Sequence, residues 1–244
     1  MPKGFFFLIL AQFASGLADN ALMILGIFFL QEQGYPAWWA PLLKFFFTLS
    51  YVLLASVVGP LTDAFYKGHV MAIMNMVKLS GVVLLVLGAH PLAAFALIGM
   101  AAAVYAPAKY GLVTESVPAS HLVRANAWLE VSVVMSVLLG VALGGYLVGW
   151  SSLSGVSTIS ALLGDVGMTT RALDAFALIS LVYVISAMLN AGLGTMGSSG
   201  VKHPLHWRDL RWAVFWRSNI QLWRDPLGGV SLCVTTLSWG VGAV

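Results

Sequence analysis

Charge is scarce in this chain. Only 9% of its 244 residues are Asp, Glu, Lys or Arg, whereas soluble domains contain about 25%. So few charges cannot cover the surface of a soluble domain of this length. Hydrophobic residues make up 60% of the sequence, and the mean hydropathy is +0.92. The composition therefore predicts a chain whose natural solvent is a lipid bilayer.

Groups that could hold a metal or act as a nucleophile are also few. The one cysteine, Cys233, lies in an apolar segment, which excludes a disulfide framework and a thiolate metal cluster. The five histidines lie in polar connections or at the ends of apolar segments: His69, His90, His121, His203 and His206. Without paired ligands or a nucleophile beside a base at membrane depth, we expect no enzyme, metal or cofactor.

Continuous apolar windows predict transmembrane helices. Unbroken runs of about 20 apolar residues favour helices over barrel strands, because strands would alternate in polarity. The six complete windows are Phe5–Leu30, Pro41–Leu61, Val70–Ala89, Leu92–Val113, Leu122–Val148 and Ala172–Leu193. A seventh begins at Leu227 and is still apolar at Val244. We therefore expect a fragment whose second half is missing.

Lysine and arginine are distributed unequally between the two sides of the predicted spans. One side carries nine of them: Lys3, Lys67, Lys109, Arg124, Lys202, Arg208, Arg211, Arg217 and Arg224. The other side has Arg171 alone. The positive-inside rule therefore predicts a cytoplasmic N-terminus, with Trp38 and Trp39 at the outer interface. Since the basic residues sit in short loops, the net charge of +3 does not indicate nucleic acid as a partner.

A long connection separates the sixth span from the seventh. It begins with a Gly- and Ser-rich run and continues with four tryptophans among arginines, which fits an interfacial helix or a basic linker equally well. Six spans, a long cytoplasmic linker and a new span match the major facilitator superfamily, whose members have two six-helix halves. We expect an all-α membrane protein with a six-helix bundle over residues 1–193, a linker over 194–226 and the start of a seventh helix over 227–244.

Charged side chains inside a span need an explanation, because each costs about 2.5–3.5 kcal/mol at a helix centre. Asp19 lies near the middle of the first span, beside Asn20. If ionised, it needs a cation, water or a substrate amine, so we interpret it as a substrate or gating contact rather than a structural tie. Lys44 can snorkel to the outer interface. Lys78 lies deeper, where a cavity-lining and a snorkelling role both remain open.

Polar residues also gather where the fourth span ends and the fifth begins. Lys109 and Glu115 follow Pro107, and Asn126 and Glu130 lie early in the fifth span. Opposite charges near one membrane face can pair across helices, and such pairs could close a gate that opens when the helices rock apart. A static interfacial cluster is the alternative.

The loop between the second and third spans carries a partial signature of the superfamily. Gly59 and Asp63 have the expected spacing, whereas the basic part is displaced to Lys67 and Gly68, with Lys and His in place of Arg. A carboxylate at this position can accept hydrogen bonds from the N-terminus of the next helix, which would latch the cytoplasmic side. An ordinary turn with a capping aspartate is the alternative.

Several short segments, in the same order along nearly the whole chain, resemble the bacterial lysophospholipid transporters of the major facilitator superfamily. They are Ala18–Leu22, Asp63–Gly68, Pro107–Gly111, Val123–Glu130 and Ser231–Gly240. The sequence departs from the family at Ala127 and Trp128 and in its long Ser-rich outer loop.

The resemblance implies a secondary transporter that moves lysophospholipids, chiefly lysophosphatidylethanolamine, from the outer to the inner leaflet of the bacterial inner membrane. An acyltransferase then re-acylates the lipid. By the same likeness, Asp19, Asn20, Lys109, Asn126 and Glu130 would be the polar contacts and the gate. A zwitterionic head group needs an anionic and a cationic contact in a cavity of low dielectric constant. We assign Asp19 to the amine, and Lys109 to the phosphate or to a gate pair with Glu130.

Two other functions remain open. One is a proton-coupled transporter of the same superfamily for a drug, a sugar or a metabolite, with Asp19 or Glu130 carrying the proton. The other is a scaffold that transports nothing. Dependence on a pH gradient would favour the proton-coupled transporter. Because one six-helix half lacks the opposing wall of the cavity, we expect that this fragment alone does not transport.

Overall fold

A computed structural model describes residues 3–153, 173–193 and 212–242, and every regular element in these ranges is helical. The helices are α1 (Lys3–Glu32), α2 (Trp39–Ala64), α3 (Lys67–Val86), α4 (Pro91–Ser116), a 3-10 turn (Ala119–His121), α5 (Leu122–Leu153), α6 (Leu173–Leu193), α7 (Trp212–Arg224) and α8 (Pro226–Gly242). Most of the Ser-rich outer loop, including Arg171, and the linker through residue 211, with its Trp207 and two histidines, lie outside the described residues.

Helices α1 to α6 are long and apolar enough to cross a membrane. They match the six predicted windows to within a few residues at each end, so the prediction of an all-α membrane protein is confirmed. Helix α8 covers the start of the seventh window but is described over only 17 residues. Its role as a seventh span remains a prediction.

Local chemistry explains where several helices end. Gly34 and Gly88 have positive φ angles of 75° and 84°, and each sits just past a helix where such a conformation closes the last turn. After α3, for example, the N–H of Gly88 donates to the carbonyl of Leu85 at 3.1 Å. Pro91 occupies the first turn of α4, where a missing N–H costs little. Pro107 lies inside α4, which continues through it to Ser116.

The membrane helices pack in an open series rather than in chain order. The main contacts run from α2 to α4, then to α3, α6, α1 and finally α5. Glycines allow the closest approaches: a Cβ on Gly140 of α5 would lie 2.7 Å from the carbonyl oxygen of Leu17 on α1, and one on Gly99 of α4 would collide with the backbone of Phe47 on α2. Contacts between α4 and α5 and between α1 and α2 are sparse.

Two apolar core layers are stacked along the bundle, with polar side chains between them. Leu22 and Phe95 belong to one layer, and Leu8 and Leu112 belong to the other. Along α1, α3 and α6, the residues between the two layers include polar side chains, and most of these are buried. The sequence thus places polar groups near the middle of the spans, where they need hydrogen-bond partners from one another, from backbone carbonyls or from a substrate.

Candidate functional site

An ion pair between α1 and α3 forms the centre of the polar layer. Lys78 Nζ lies 2.6 Å from Asp19 Oδ2 and also donates to Ser15 Oγ at 2.9 Å. The other carboxylate oxygen of Asp19 accepts a hydrogen bond from Tyr183 of α6 at 2.7 Å. The ammonium group lies 4.9 Å from the ring centroid of Tyr105 of α4, a cation–π contact. We call these five residues the central cluster.

The central cluster extends into a chain of buried hydrogen bonds between α1, α3 and α6. Ser15 donates to Asn75 Oδ1 at 2.8 Å, Asn75 Nδ2 donates to Ser186 Oγ at 2.8 Å, and Ser186 donates to the carbonyl of Ala11 at 2.7 Å. Nearby, Asn190 Nδ2 donates to the hydroxyl of Tyr105 at 3.3 Å. Buried hydrogen bonds in a medium of low dielectric constant fix the relative positions of the helices that contribute to them.

Asp19 is the more exposed member of the ion pair. It is 18% exposed, whereas Lys78 is 1% exposed. The charge of Asp19 also acts on Lys109 of α4 and on Tyr51 of α2. The carboxylate and the half-buried Lys109 are therefore within electrostatic range of one another, although they form no ion pair.

A second set of contacts lies at the C-terminal half of α4, and here the structure differs from the expected gate pair. Tyr110 OH, rather than Lys109, donates to Glu130 Oε1 of α5 at 2.9 Å. Lys109 Nζ instead lies 5.0 Å from the ring centroid of Tyr110. Glu130 still acts on Lys109 through its charge. Because residues 109 and 110 are about 100° apart around the helix, only one of them can face α5 directly.

The two predicted asparagines differ in their surroundings. Asn20 Nδ2 donates to the carbonyl of Gly16, one turn earlier in α1, at 2.8 Å. Its Cβ lies where α1 approaches Gly140 of α5. Asn126 is exposed in the second turn of α5. Neither asparagine belongs to the central cluster.

The loop motif forms a charged contact with the end of α4. Lys67 lies 3.3 Å from Asp63 and forms a closer ion pair with Glu115 of α4. Its side chain crosses Gly111, where an added Cβ would collide with Lys67 Cε. Among the described side chains none is seen to cap the N-terminus of α3, and the observed partner of Asp63 is Lys67. We call this contact the Lys67 latch.

The two glycines of the loop motif are placed differently. Gly68 is buried in the first turn of α3, next to the latch lysine. Gly59 lies inside α2 and has no neighbour within 4 Å of an added Cβ. The carbonyl of Gly59 accepts a hydrogen bond from Thr62 at 2.9 Å. Gly59 therefore has no close packing requirement in the described residues.

Sequence reasoning identified the charges but missed most of their neutral partners. Ser15, Tyr183 and Ser186 are ordinary residues in apolar spans, and only the four-residue spacing of Ser15 and Asp19 could have signalled a shared face. Lys78 proves to be a buried, paired cation rather than a snorkelling one. Lys44 is exposed, and its snorkelling to the outer interface remains a prediction. Within the described ranges no three His, Cys, Asp or Glu side chains come together as a metal site requires.

The packed spans define a multi-pass, all-α membrane protein with an ion pair near the middle of its helices. No protein-family model matches the chain. The chain is nevertheless similar to proteins named lysophospholipid transporter LplT, in agreement with the resemblance found in its sequence. It is 32% identical to the lysophospholipid transporter LplT of Yersinia enterocolitica over 99% of the chain and 55% of that relative.

Two further relatives carry the same printed name. The chain is 32% identical to lysophospholipid transporter LplT of Serratia proteamaculans over 96% of the chain and 54% of the relative. It is 33% identical to that of Yersinia pestis over 95% of the chain and 52% of the relative. The chain therefore spans about half the length of the curated relatives that it matches.

Proposed function

We propose that this chain supplies one six-helix half of a transporter that moves lysophospholipids from the outer to the inner leaflet of the bacterial inner membrane. The similarity to lysophospholipid transporters along 95% to 99% of the chain carries the proposal. The bundle of six spans fits one half of a major facilitator superfamily protein. The other half would provide the opposing wall of the substrate cavity, and an acyltransferase would consume the transported lipid.

The charges near the middle of the bundle suit a zwitterionic head group. Lys109 is half-buried and forms no ion pair among the described side chains, so its ammonium is available to a phosphate. The exposed edge of Asp19 offers a carboxylate to an amine. Charge-assisted contacts of this kind are strong where water is excluded. The acyl chain would remain in an apolar cleft or in the lipid.

The contacts at the end of α4 suit a gate. If the N-terminus is cytoplasmic, the Lys67 latch and the Tyr110–Glu130 hydrogen bond both lie toward the cytoplasmic side. They join α2, α3, α4 and α5 through side chains, while the backbones of α4 and α5 make few contacts. Rocking of α5 against α4 could therefore separate the Tyr110–Glu130 hydrogen bond without breaking the packed core, whereas the Lys67 latch joins helices that pack closely.

The linker helix α7 suits the membrane surface. Trp212, Trp216 and Trp223 recur at helical spacing and share one face. Arg217 and Arg224 both lie about 100° further round the helix, on one side of that face. Tryptophan prefers the interface, and arginine favours anionic head groups. In this arrangement α7 lies parallel to the cytoplasmic leaflet and joins the two halves.

Uptake of labelled lysophosphatidylethanolamine into spheroplasts, with and without the complete gene, tests the function. We expect uptake only with the gene, and little change when the pH gradient is collapsed. Loss of uptake on collapse would favour the proton-coupled alternative. Asp19→Asn in the complete protein should lower uptake by at least about tenfold, if a charge-assisted contact is lost. Unchanged uptake at normal expression would remove Asp19 from the substrate site.

A further inference from the structure

Lys78 is the most deeply buried charge among the described residues. A buried ammonium is costly unless it is paired and hydrogen-bonded, and a lysine has three N–H donors to satisfy. Those of Lys78 face Asp19 Oδ2 at 2.6 Å, Ser15 Oγ at 2.9 Å and the ring of Tyr105 at 4.9 Å. Every donor has a partner, so this ammonium is bound within the protein and does not itself reach a substrate.

The carboxylate assigned to the substrate amine therefore already holds a cation. Asp19 receives Lys78 on one oxygen and Tyr183 on the other, and only its exposed edge remains. Other carboxylates in low-dielectric sites take a proton or a metal ion from solution to balance their charge. Asp19 has no such need, because the balancing charge is covalently attached through α3.

We propose that Lys78 is a tethered counterion, which keeps Asp19 ionised without a proton or metal ion from solution and so frees the transport cycle from a coupling ion. A tethered group competes with solution ions at a high effective concentration. The substrate amine then shares Asp19 with Lys78 and need not displace a bound ion. The transport readout of this inference rests on the proposed function, whereas its stability readout does not.

The other groups around Asp19 do not replace Lys78. Tyr105 and Tyr183 are neutral hydrogen-bonding phenols, and Tyr51 of α2 is a third phenol within electrostatic range. Lys109 of α4 is the second cation whose charge reaches Asp19, but it forms no ion pair with it. From α5, Glu130 acts on Lys109 and so opposes its charge.

Lys78→Met in the full-length protein tests the inference, because methionine nearly conserves volume and removes the charge. The vacated place is bordered by Asp19 Oδ2 and Ser15 Oγ, and oxygen atoms are the ligands of hard cations. We expect the Tm of this variant to rise by about 4 °C or more when Na⁺ replaces choline or when the pH falls from about 8 to about 6. The Tm of the unsubstituted protein should change by much less under the same two conditions.

Uptake of labelled lysophosphatidylethanolamine into proteoliposomes gives the second readout. For Lys78→Met we expect uptake to increase at least about fivefold with Na⁺, because Na⁺ balances the charge of Asp19 and leaves its carboxylate ionised. Acid should raise the Tm of this variant without raising its uptake, because a protonated Asp19 offers no charge to the substrate amine. The matched control is Lys44→Met, the same change at an exposed lysine that has no ion pair with any described side chain; it should gain no such dependence. The double variant Asp19→Asn with Lys78→Met should also show no Tm dependence on Na⁺.

Each result decides the inference. A folded Lys78→Met that responds to neither Na⁺ nor pH in Tm overturns it, as does strong Na⁺ or proton dependence of the unsubstituted protein. If Lys78→Met fails to fold, recovery of folding in the double variant supports the counterion role, and failure of both variants overturns it. If the unsubstituted protein moves no lysophospholipid, the proposed function fails while the Tm comparison still tests the counterion.

Discussion

The central cluster and the contacts at the end of α4 use the same chemistry at different depths. In each, a tyrosine donates to a carboxylate: Tyr183 to Asp19 at 2.7 Å and Tyr110 to Glu130 at 2.9 Å. Tyr183 is fully buried, whereas Tyr110 is 37% exposed. Since water competes for the exposed bond and not for the buried one, the central cluster should hold its helices together, while the α4 contacts can break and re-form.

Removing the carboxylate from the central cluster and from the α4 contacts in turn should give the largest difference in the free energy of unfolding. Asp19→Ala leaves Lys78 buried without its counterion, and breaking a buried pair in this way costs about 3–5 kcal/mol. Glu130→Ala is the matched control at an exposed site, where a change within about 0.5 kcal/mol is usual. The measurement is the free energy of unfolding of the full-length protein in detergent. Equal losses in the two variants would mean that depth does not distinguish the clusters.

Removing the two tyrosine hydroxyls sharpens the comparison, because the chemical change is identical. Tyr183→Phe deletes a buried hydrogen bond to a charged acceptor, worth about 1.5–3 kcal/mol. Tyr110→Phe deletes an exposed one, for which we expect less than about 1 kcal/mol. Both values come from the same unfolding measurement. A larger loss for Tyr110→Phe would place the structural tie at α4 rather than at the centre.

The spans could be predicted from sequence, and the partners of the charges could not. A run of apolar residues is a local signal, so the six helices follow from hydropathy alone. The bonds of Asp19 join residues separated by 59 and 164 positions. Their proximity depends on which helices pack against one another, here α1, α3 and α6. The sequence of an individual span does not indicate its neighbours.

The gate pair shows a second limit of sequence reasoning. Charge offered Lys109 as a partner of either the substrate phosphate or Glu130, and in the structure the hydroxyl of the adjacent Tyr110 is bonded to Glu130. One residue corresponds to about 100° of rotation around a helix, so the choice depends on how α4 is rotated against its neighbours. That rotation is determined by packing, for example at Gly99 against α2, and not by the charged residues themselves.

A substitution that disturbs the Lys67 latch should have the smallest effect on the free energy of unfolding. Gly111→Ala places a methyl group against the flexible end of Lys67, which can shift at little cost but then reaches Glu115 less well. Gly145→Ala is the matched control, because an added Cβ there has no neighbour within 4 Å. The control should gain up to about 1 kcal/mol of stability from helix propensity.

Gly111→Ala should gain less stability than the Gly145→Ala control. The difference between the two variants should be under about 1 kcal/mol, because the latch is partly exposed. The difference should vanish when both substitutions are made in a Glu115→Gln background, since the latch is already weakened there and the two changes no longer add. The unfolding free energies of the four variants and their two parents give this coupling directly. If the difference persists in the Glu115→Gln background, the methyl group disturbs α4 packing, and the Lys67–Glu115 pair is not what joins the loop to α4.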